Sequence, residues 1–157
     1  MRSSAFACAA LVLFLGARPG AAQQTAPDPR LLERARRVLD QVHIIDGHND
    51  LPSELLQRAD GDPARFDLRL RQDSFMTDLA RLHEGRVGAQ FWSAYVDNDS
   101  IPAGASLRQA LREIDMVYRM TRQYPQQLEL ARSAADIERI ESQGRTASLI
   151  GVEGGHA

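Results

Sequence analysis

The chain has 157 residues, a formal net charge of −2, 43% hydrophobic and 25% charged side chains, the make-up of a globular protein of at most one domain. Arginines alternate with acids along it, so there is no dense basic footprint, and nucleic acid and anionic membrane surfaces are not expected partners.

Arg2 precedes an apolar run from Ala5 to Leu15, and Gly20, Ala21 and Ala22 offer small residues where a signal peptidase cuts. Residues 1–22 therefore read as a cleavable signal peptide. The apolar run is shorter than the ~20 residues a spanning helix needs, so no membrane-spanning segment is expected after cleavage. The single cysteine, Cys8, lies inside this leader with most of the apolar run after it, the wrong order for a lipid-modified cysteine. A mature chain without thiols has no disulfides, and its expected place is secreted or periplasmic.

Residues 23–29 form a polar, proline-containing linker, and residues 30–157 are expected to form one α/β unit. Pro29 suits the first turn of a helix on which Leu31, Leu32, Ala35, Val38 and Leu39 recur at helical spacing. Val42 to Asp46 reads as a short buried strand ended by Gly47. Leu51 to Leu56 opens a helical turn, and Ala59 to Pro63 carries loop chemistry. A helix is expected over Ser74 to Arg81 with Ser74 as its cap, and a second strand over Val87 to Val96, broken by Asp97 to Gly104. The clearest helix runs from Ser106 to Tyr124, with Leu107, Leu111, Ile114, Val117, Tyr118 and Thr121 as its stripe and Pro125 just beyond. Ser133 caps a further helix that ends at Gly144. Thr146 to Val152 is the third strand, followed by Gly154 and Gly155. This alternation predicts an α/β fold with parallel strands joined by helical crossovers. A closed eight-stranded barrel takes ~250 residues, so in a TIM-like architecture this chain supplies an incomplete, N-terminal part.

Two strands end in residues of metal-ligand type. His48 and Asp50 are two apart, a spacing that in extended backbone sends both side chains to one face. The apolar run Ser148 to Val152 delivers Glu153 at its C-terminal end, where parallel-strand enzymes place their active sites. Each signal alone also fits an ordinary surface acid or a polar strand end. Together, an imidazole and two carboxylates at the C-terminal ends of parallel strands make a mixed donor set suited to zinc. A bridging carboxylate such as Glu153 holds two metals ~3.5–4 Å apart, and a hydroxide between them is a nucleophile at neutral pH.

Three segments, His43-Ile44-Ile45-Asp46-Gly47-His48-Asn49-Asp50-Leu51-Pro52, Gly88-Ala89-Gln90-Phe91-Trp92-Ser93-Ala94-Tyr95-Val96 and Ser148-Leu149-Ile150-Gly151-Val152-Glu153-Gly154-Gly155-His156, resemble the membrane dipeptidase (renal dipeptidase) family in order and separation. The helix through Ile114 to Met120 and the pair Tyr124-Pro125 extend the likeness from His43 to the end. The resemblance implies a barrel metallopeptidase with two zinc ions that hydrolyses dipeptides and tolerates a D-residue on the C-terminal side. It implies that His48 and Asp50 hold the first zinc and that Glu153 bridges both, anchoring the centre at which a metal-bridging hydroxide attacks the scissile carbonyl. By the same resemblance, two further histidines, an aspartate and the substrate-binding His and Arg fall beyond Ala157. Ser53 departs from relatives that carry an aromatic residue there. A homodimer is among the assemblies open to such a protein.

His156 stands either for a residue orienting a ligand or for a loop histidine, and Asp46 for a support of His48 or a strand end. Trp92 and Tyr95 read as packing residues, and His43 and His83 as structural or exposed. An alternative to the active enzyme is an inert truncated fragment with a partial metal site, whose open sheet edges favour self-association. A different amidohydrolase-like barrel is the third reading. Those enzymes usually carry His-x-His on the first strand, and Asp50 argues against it.

Overall fold

The computed structural model describes residues 26–42 and 44–157; the expected signal peptide, residues 23–25 of the linker and His43 lie outside them. Helix α1 (Pro29–Leu39) starts as the sequence predicts: Pro29 occupies the first turn and Asp28 caps it, accepting from the Arg30 amide at 2.8 Å. None of its residues is buried.

Four strands follow: β1 (Ile44–Asn49), β2 (Val87–Tyr95), β3 (Leu128–Leu130) and β4 (Thr146–Glu153). They form one sheet in the order β1-β2-β4-β3, every pair parallel. Three of them were expected. The three-residue β3 carries too little apolar periodicity to stand out in the sequence. β1 also differs, running three residues past Asp46, so that His48 lies on the strand and not after it.

Helices α2 (Leu51–Arg58), α3 (Leu79–Glu84), α4 (Ser106–Gln123) and α5 (Ala134–Ser142) join the strands. Chain direction explains their sides. From β1 to β2, and from β2 past β4 to β3, the chain steps one way across the sheet, and α2 and α4 pack on one face around Trp92, Leu55, Met116, Val117 and Met120. From β3 back to β4 it reverses, and α5 lands on the opposite face, where Ile140 meets Ala89 and Ala147. A right-handed crossover requires that change of side. Burial of Trp92, with no exposed surface, is worth about 3–5 kcal/mol against truncation to alanine.

Helix α3 begins later than its expected start at Ser74. Asp78, not Ser74, is the cap: its Oδ1 accepts from the Arg81 amide at 2.8 Å. Its Oδ2 accepts from the Gln72 amide at 2.8 Å and from Arg81 Nε at 2.7 Å. Burial pushes this carboxyl up, but those hydrogen bonds and the guanidinium together hold it below the usual range. The pair pins the turns over 67–77 to α3. Asp78→Ala leaves the Arg81 guanidinium facing an empty acceptor, and an expected loss of about 3–5 kcal/mol is read as a lower urea midpoint at unchanged slope; a midpoint within error of the unsubstituted chain contradicts this.

The buried face of α4 also departs from expectation. Leu107 and Leu111, placed in the apolar stripe by spacing, are 66% and 56% exposed, and the buried row is Ala110, Glu113, Met116, Val117 and Met120. The stripe is rotated because a carboxyl occupies its centre. Glu113, buried against α2, accepts a hydrogen bond from Ser53 Oγ at 3.1 Å. Burial pushes it up to about 7, opposed by Ser53 and Arg112 and reinforced by the charge of Asp50. The folded state therefore holds this proton more tightly than the unfolded chain, so the stability it contributes is complete below about 4.5 and is lost as pH rises through about 7. Glu113→Gln keeps the acceptor and stays neutral. It is expected to gain about 1–3 kcal/mol on the unsubstituted chain between pH 5 and pH 8, measured by urea unfolding at both; an equal difference at the two pH values contradicts it.

Candidate metal centre

The C-terminal ends of β1 and β4 flank β2 on its two sides: Asn49 pairs with Trp92, and Glu153 with Tyr95 three residues further along β2. His48, Asp50 and Glu153 consequently meet, although the first and the last lie 105 positions apart in the sequence. Their ligand-type atoms all lie within 4.8 Å of one another. His48 Nε2 is 3.1 Å from Asp50 Oδ1 and 3.5 Å from Glu153 Oε2.

The meeting of His48 and Asp50 has a different cause from the extended spacing assumed above. Asp50 is the cap position of α2, with φ −90° and ψ 13°, and makes no side-chain cap bond. The turn from strand into helix, not a continuing strand, swings its carboxylate back toward the imidazole. Proline at the start of α2 fixes that turn, since Pro52 sits where an amide has no intrahelical partner to lose. The N-terminus of α2 also places the positive end of its dipole beside Asp50.

Glu153 is held from β2. Ser93, 3% exposed, donates from Oγ to Glu153 Oε2 at 2.9 Å. Ser93 was given no role from the sequence; its signal was a hydroxyl inside a largely apolar parallel strand. Beyond Glu153 the backbone pairs once more, Val96 N donating to Glu153 O at 3.0 Å, and Gly154 then turns away with φ +111°. A side chain there would crowd the Val96 carbonyl at 3.2 Å, so glycine is required.

Around the cluster, Gly47, Phe91, Ser93 and Gly151 line a cleft of about 440 Å³ on the Glu153 side. A second of about 280 Å³ opens between His48, Asp50 and Glu54 and the chain around Phe75 and Met76. α5 covers only the lower part of this sheet face, at Ala89 and Ala147, which leaves the strand ends open. Trp92 is core, as its residue type suggested, and Tyr95 stands 36% exposed at the end of β2. Asp46 does support His48, its Oδ1 accepting from the His48 amide at 3.3 Å. His156 is partly buried beside Gly154 and is not in the cluster.

The donor set fits a cation. One imidazole and two carboxylates converge, and the only ion pairs of Asp50 and Glu153 among the described residues are those with His48. No Lys or Arg neutralises them there, so two like charges stand close at a strand edge, where a divalent ion offsets their repulsion. Glu153→Gln keeps the Ser93 hydrogen bond and removes one charge. Without metal it is expected to unfold at the same or a higher urea concentration than the unsubstituted protein; a loss above ~1 kcal/mol contradicts mutual repulsion of the acids.

Comparison with known proteins agrees with this layout. A profile described as membrane dipeptidase (peptidase family M19) matches residues 32–157. A dipeptidase of Aspergillus terreus is 44% identical over 135 residues, covering 80% of this chain and 32% of the relative. Dipeptidase 3 of Homo sapiens is 43% identical over 137 residues, covering 85% of this chain and 27% of the relative. Among solved structures, the family M19 metallopeptidase dipeptidase AC superposes with a TM-score of 0.63 at 24% identity, over 74% of this chain and 36% of that one. A Rhodobacter sphaeroides metallopeptidase bound to a phosphinate mimic of L-Ala-D-Ala gives a TM-score of 0.59 at 20% identity, over 74% and 39%. The chain belongs to the membrane dipeptidase family, a family of metallopeptidases. It spans between a quarter and a third of the length of its curated relatives, and its sheet corresponds to part of the barrel fold of the solved ones.

Proposed function

We propose that this chain is the N-terminal part of an exported, zinc-dependent dipeptidase, with His48, Asp50 and Glu153 as metal ligands and Glu153 bridging two ions. The observation that carries the reading is the convergence of one imidazole and two carboxylates, without a competing cationic side chain, at the C-terminal edge of a parallel sheet. Residues 1–22 act as the export signal in this reading, and residues 30–157 as barrel. Among the described residues no helix is long and apolar enough to cross a membrane.

Bound zinc supplies Lewis acidity for a scissile carbonyl and lowers the pKa of water. The residues of this chain do the holding. His48 offers Nε2, the ring nitrogen that faces both acids. Ser93 fixes one oxygen of Glu153, so the carboxylate keeps its direction when the site is empty of substrate. The cleft lined by Gly47, Phe91 and Gly151 has the shape for a small substrate: two glycines leave backbone accessible and one ring provides an apolar wall. The dipeptide class is supported by the relatives, which are named dipeptidases; the Rhodobacter sphaeroides protein of like fold holds a phosphinate mimic of L-Ala-D-Ala, which makes a C-terminal D-residue worth testing.

A second reading has its own support. Both sheet edges, β1 and β3, are unpaired among the described residues, and the chain spans at most a third of its curated relatives. By itself it is then a partial site without turnover.

The test uses the purified protein with any residues its gene encodes beyond Ala157. It is expected to bind close to two zinc ions and to hydrolyse L-Ala-L-Ala and L-Ala-D-Ala. Chelation abolishes hydrolysis and zinc restores it, and Glu153→Ala lowers both zinc content and rate, the rate at least ~100-fold. Full zinc occupancy in Glu153→Ala contradicts the bridging role. Zinc uptake without hydrolysis by the 157-residue chain alone supports the second reading for that chain.

A further inference from the structure

The register of β1 against β2 is irregular at the site. Asp46 pairs with Gln90 and Asn49 pairs with Trp92, so three steps along β1 oppose two along β2. The extra residue lies in Gly47-His48, which makes the imidazole project from a β-bulge. Bulges re-aim side chains but break the ladder locally, so the backbone on either side needs another hold.

Gln90 provides it. Its side chain has no exposed surface, although it sits in the middle of β2 among apolar neighbours. Nε2 donates to the Asp46 carbonyl at 3.3 Å, just before the bulge, and to the Phe91 carbonyl at 3.2 Å. Oε1 accepts from Asn49 Nδ2 at 3.3 Å, just after the bulge. One carboxamide thus spans the two residues from which His48 projects. Asn49 carries the hold onward: Nδ2 also donates to Thr77 Oγ1 at 2.9 Å, and Oδ1 accepts from the Leu51 amide at 3.1 Å. His48 precedes Asn49 and Asp50 follows it, so both depend on the placement of this one residue.

We infer that Gln90, acting through Asn49 and Thr77, is a positioning residue that clamps the β1 bulge and sets His48 and Asp50 at metal-binding separation. The inference rests on the reading of those two residues as ligands. A carboxamide is needed because the site asks for a donor toward two carbonyls and an acceptor toward an amide in one planar group. Methionine has the length and neither function; glutamate has only the acceptor. Burial makes the loss costly, since the abandoned carbonyls have no water to turn to.

The test compares the purified protein, carrying any residues its gene adds, with Gln90→Met, Thr77→Val, Thr77→Ser, His48→Ala and Asp50→Ala. Zinc affinity is measured by chelator competition, the Co²⁺ visible spectrum reports ligand geometry, and urea midpoints are taken without metal. Gln90→Met is expected to weaken zinc about 10–100-fold and to change the Co²⁺ spectrum of the folded protein. Thr77→Val moves both in the same direction by less, and Thr77→Ser restores the unsubstituted values. Thr77→Val, near-isosteric at a half-buried position in the loop before α3, decides the matter if Gln90→Met fails to fold. Unchanged zinc affinity and Co²⁺ spectrum in Thr77→Val and in any folded Gln90→Met overturn the positioning role, even where urea midpoints fall. Loss of zinc in His48→Ala and Asp50→Ala alongside that result leaves the ligand reading standing. No zinc uptake by the unsubstituted protein, or full uptake by both alanine variants, overturns the ligand reading and this inference with it.

Discussion

Parallel pairing of β1 and β4 on the two sides of β2 is the constraint from which the site follows. Parallel strands point their C-terminal ends the same way, so residues that end the first and last strands share one edge even when most of the chain lies between them. The register then sets height: Asn49 beside Trp92, and Glu153 beside Tyr95. A slip of one residue in either pair would turn a ligand-type side chain to the opposite face. The core under α2 and α4 guards against it, because Trp92 and its neighbours fit only one face. Folding energy and site geometry are therefore tied to the same ladder.

The acids at that edge run against the rest of the design. Several acidic groups elsewhere are paired with arginines: Asp78 with Arg81, and Glu129 with Arg139 and Arg145. At the strand ends Asp50 and Glu153 have His48 between them and no guanidinium. An arrangement that costs stability without a ligand and recovers it with one is characteristic of binding sites. Ser93 and Gln90, both buried polar residues in β2, hold the two halves of the cluster from beneath. The strand that contributes no ligand thus shapes the site most.

Much of this was legible in the sequence. The strands at 87 and 146, the helices from 29 and 106 and the Ser133 cap were readable because periodicity, proline placement and capping residues agreed. The three ligand-type residues were legible because each follows a short apolar run of strand-forming residues, although the first of these strands, read from sequence as buried, has no buried residue. Local rules failed where long-range contacts decided. Asp78 displaced Ser74 as a cap because its carboxylate also finds Gln72 and Arg81, residues that spacing does not bring together. The stripe of α4 rotated because Glu113 meets Ser53 from another helix. The β1 bulge has no signature of its own beyond Gly47, since a bulge is defined by the partner strand. Gln90 and Asn49 looked like ordinary polar residues until their partners in β1 and the turn at Thr77 were in place.

The most direct measurement of the central claim is an anomalous difference map collected at the zinc edge from crystals grown with zinc. A peak within coordination distance, ~2.0–2.2 Å, of His48 Nε2 and of carboxylate oxygens from both Asp50 and Glu153 is the predicted result. Zinc found elsewhere on the protein, with those three side chains left apart, would contradict the account.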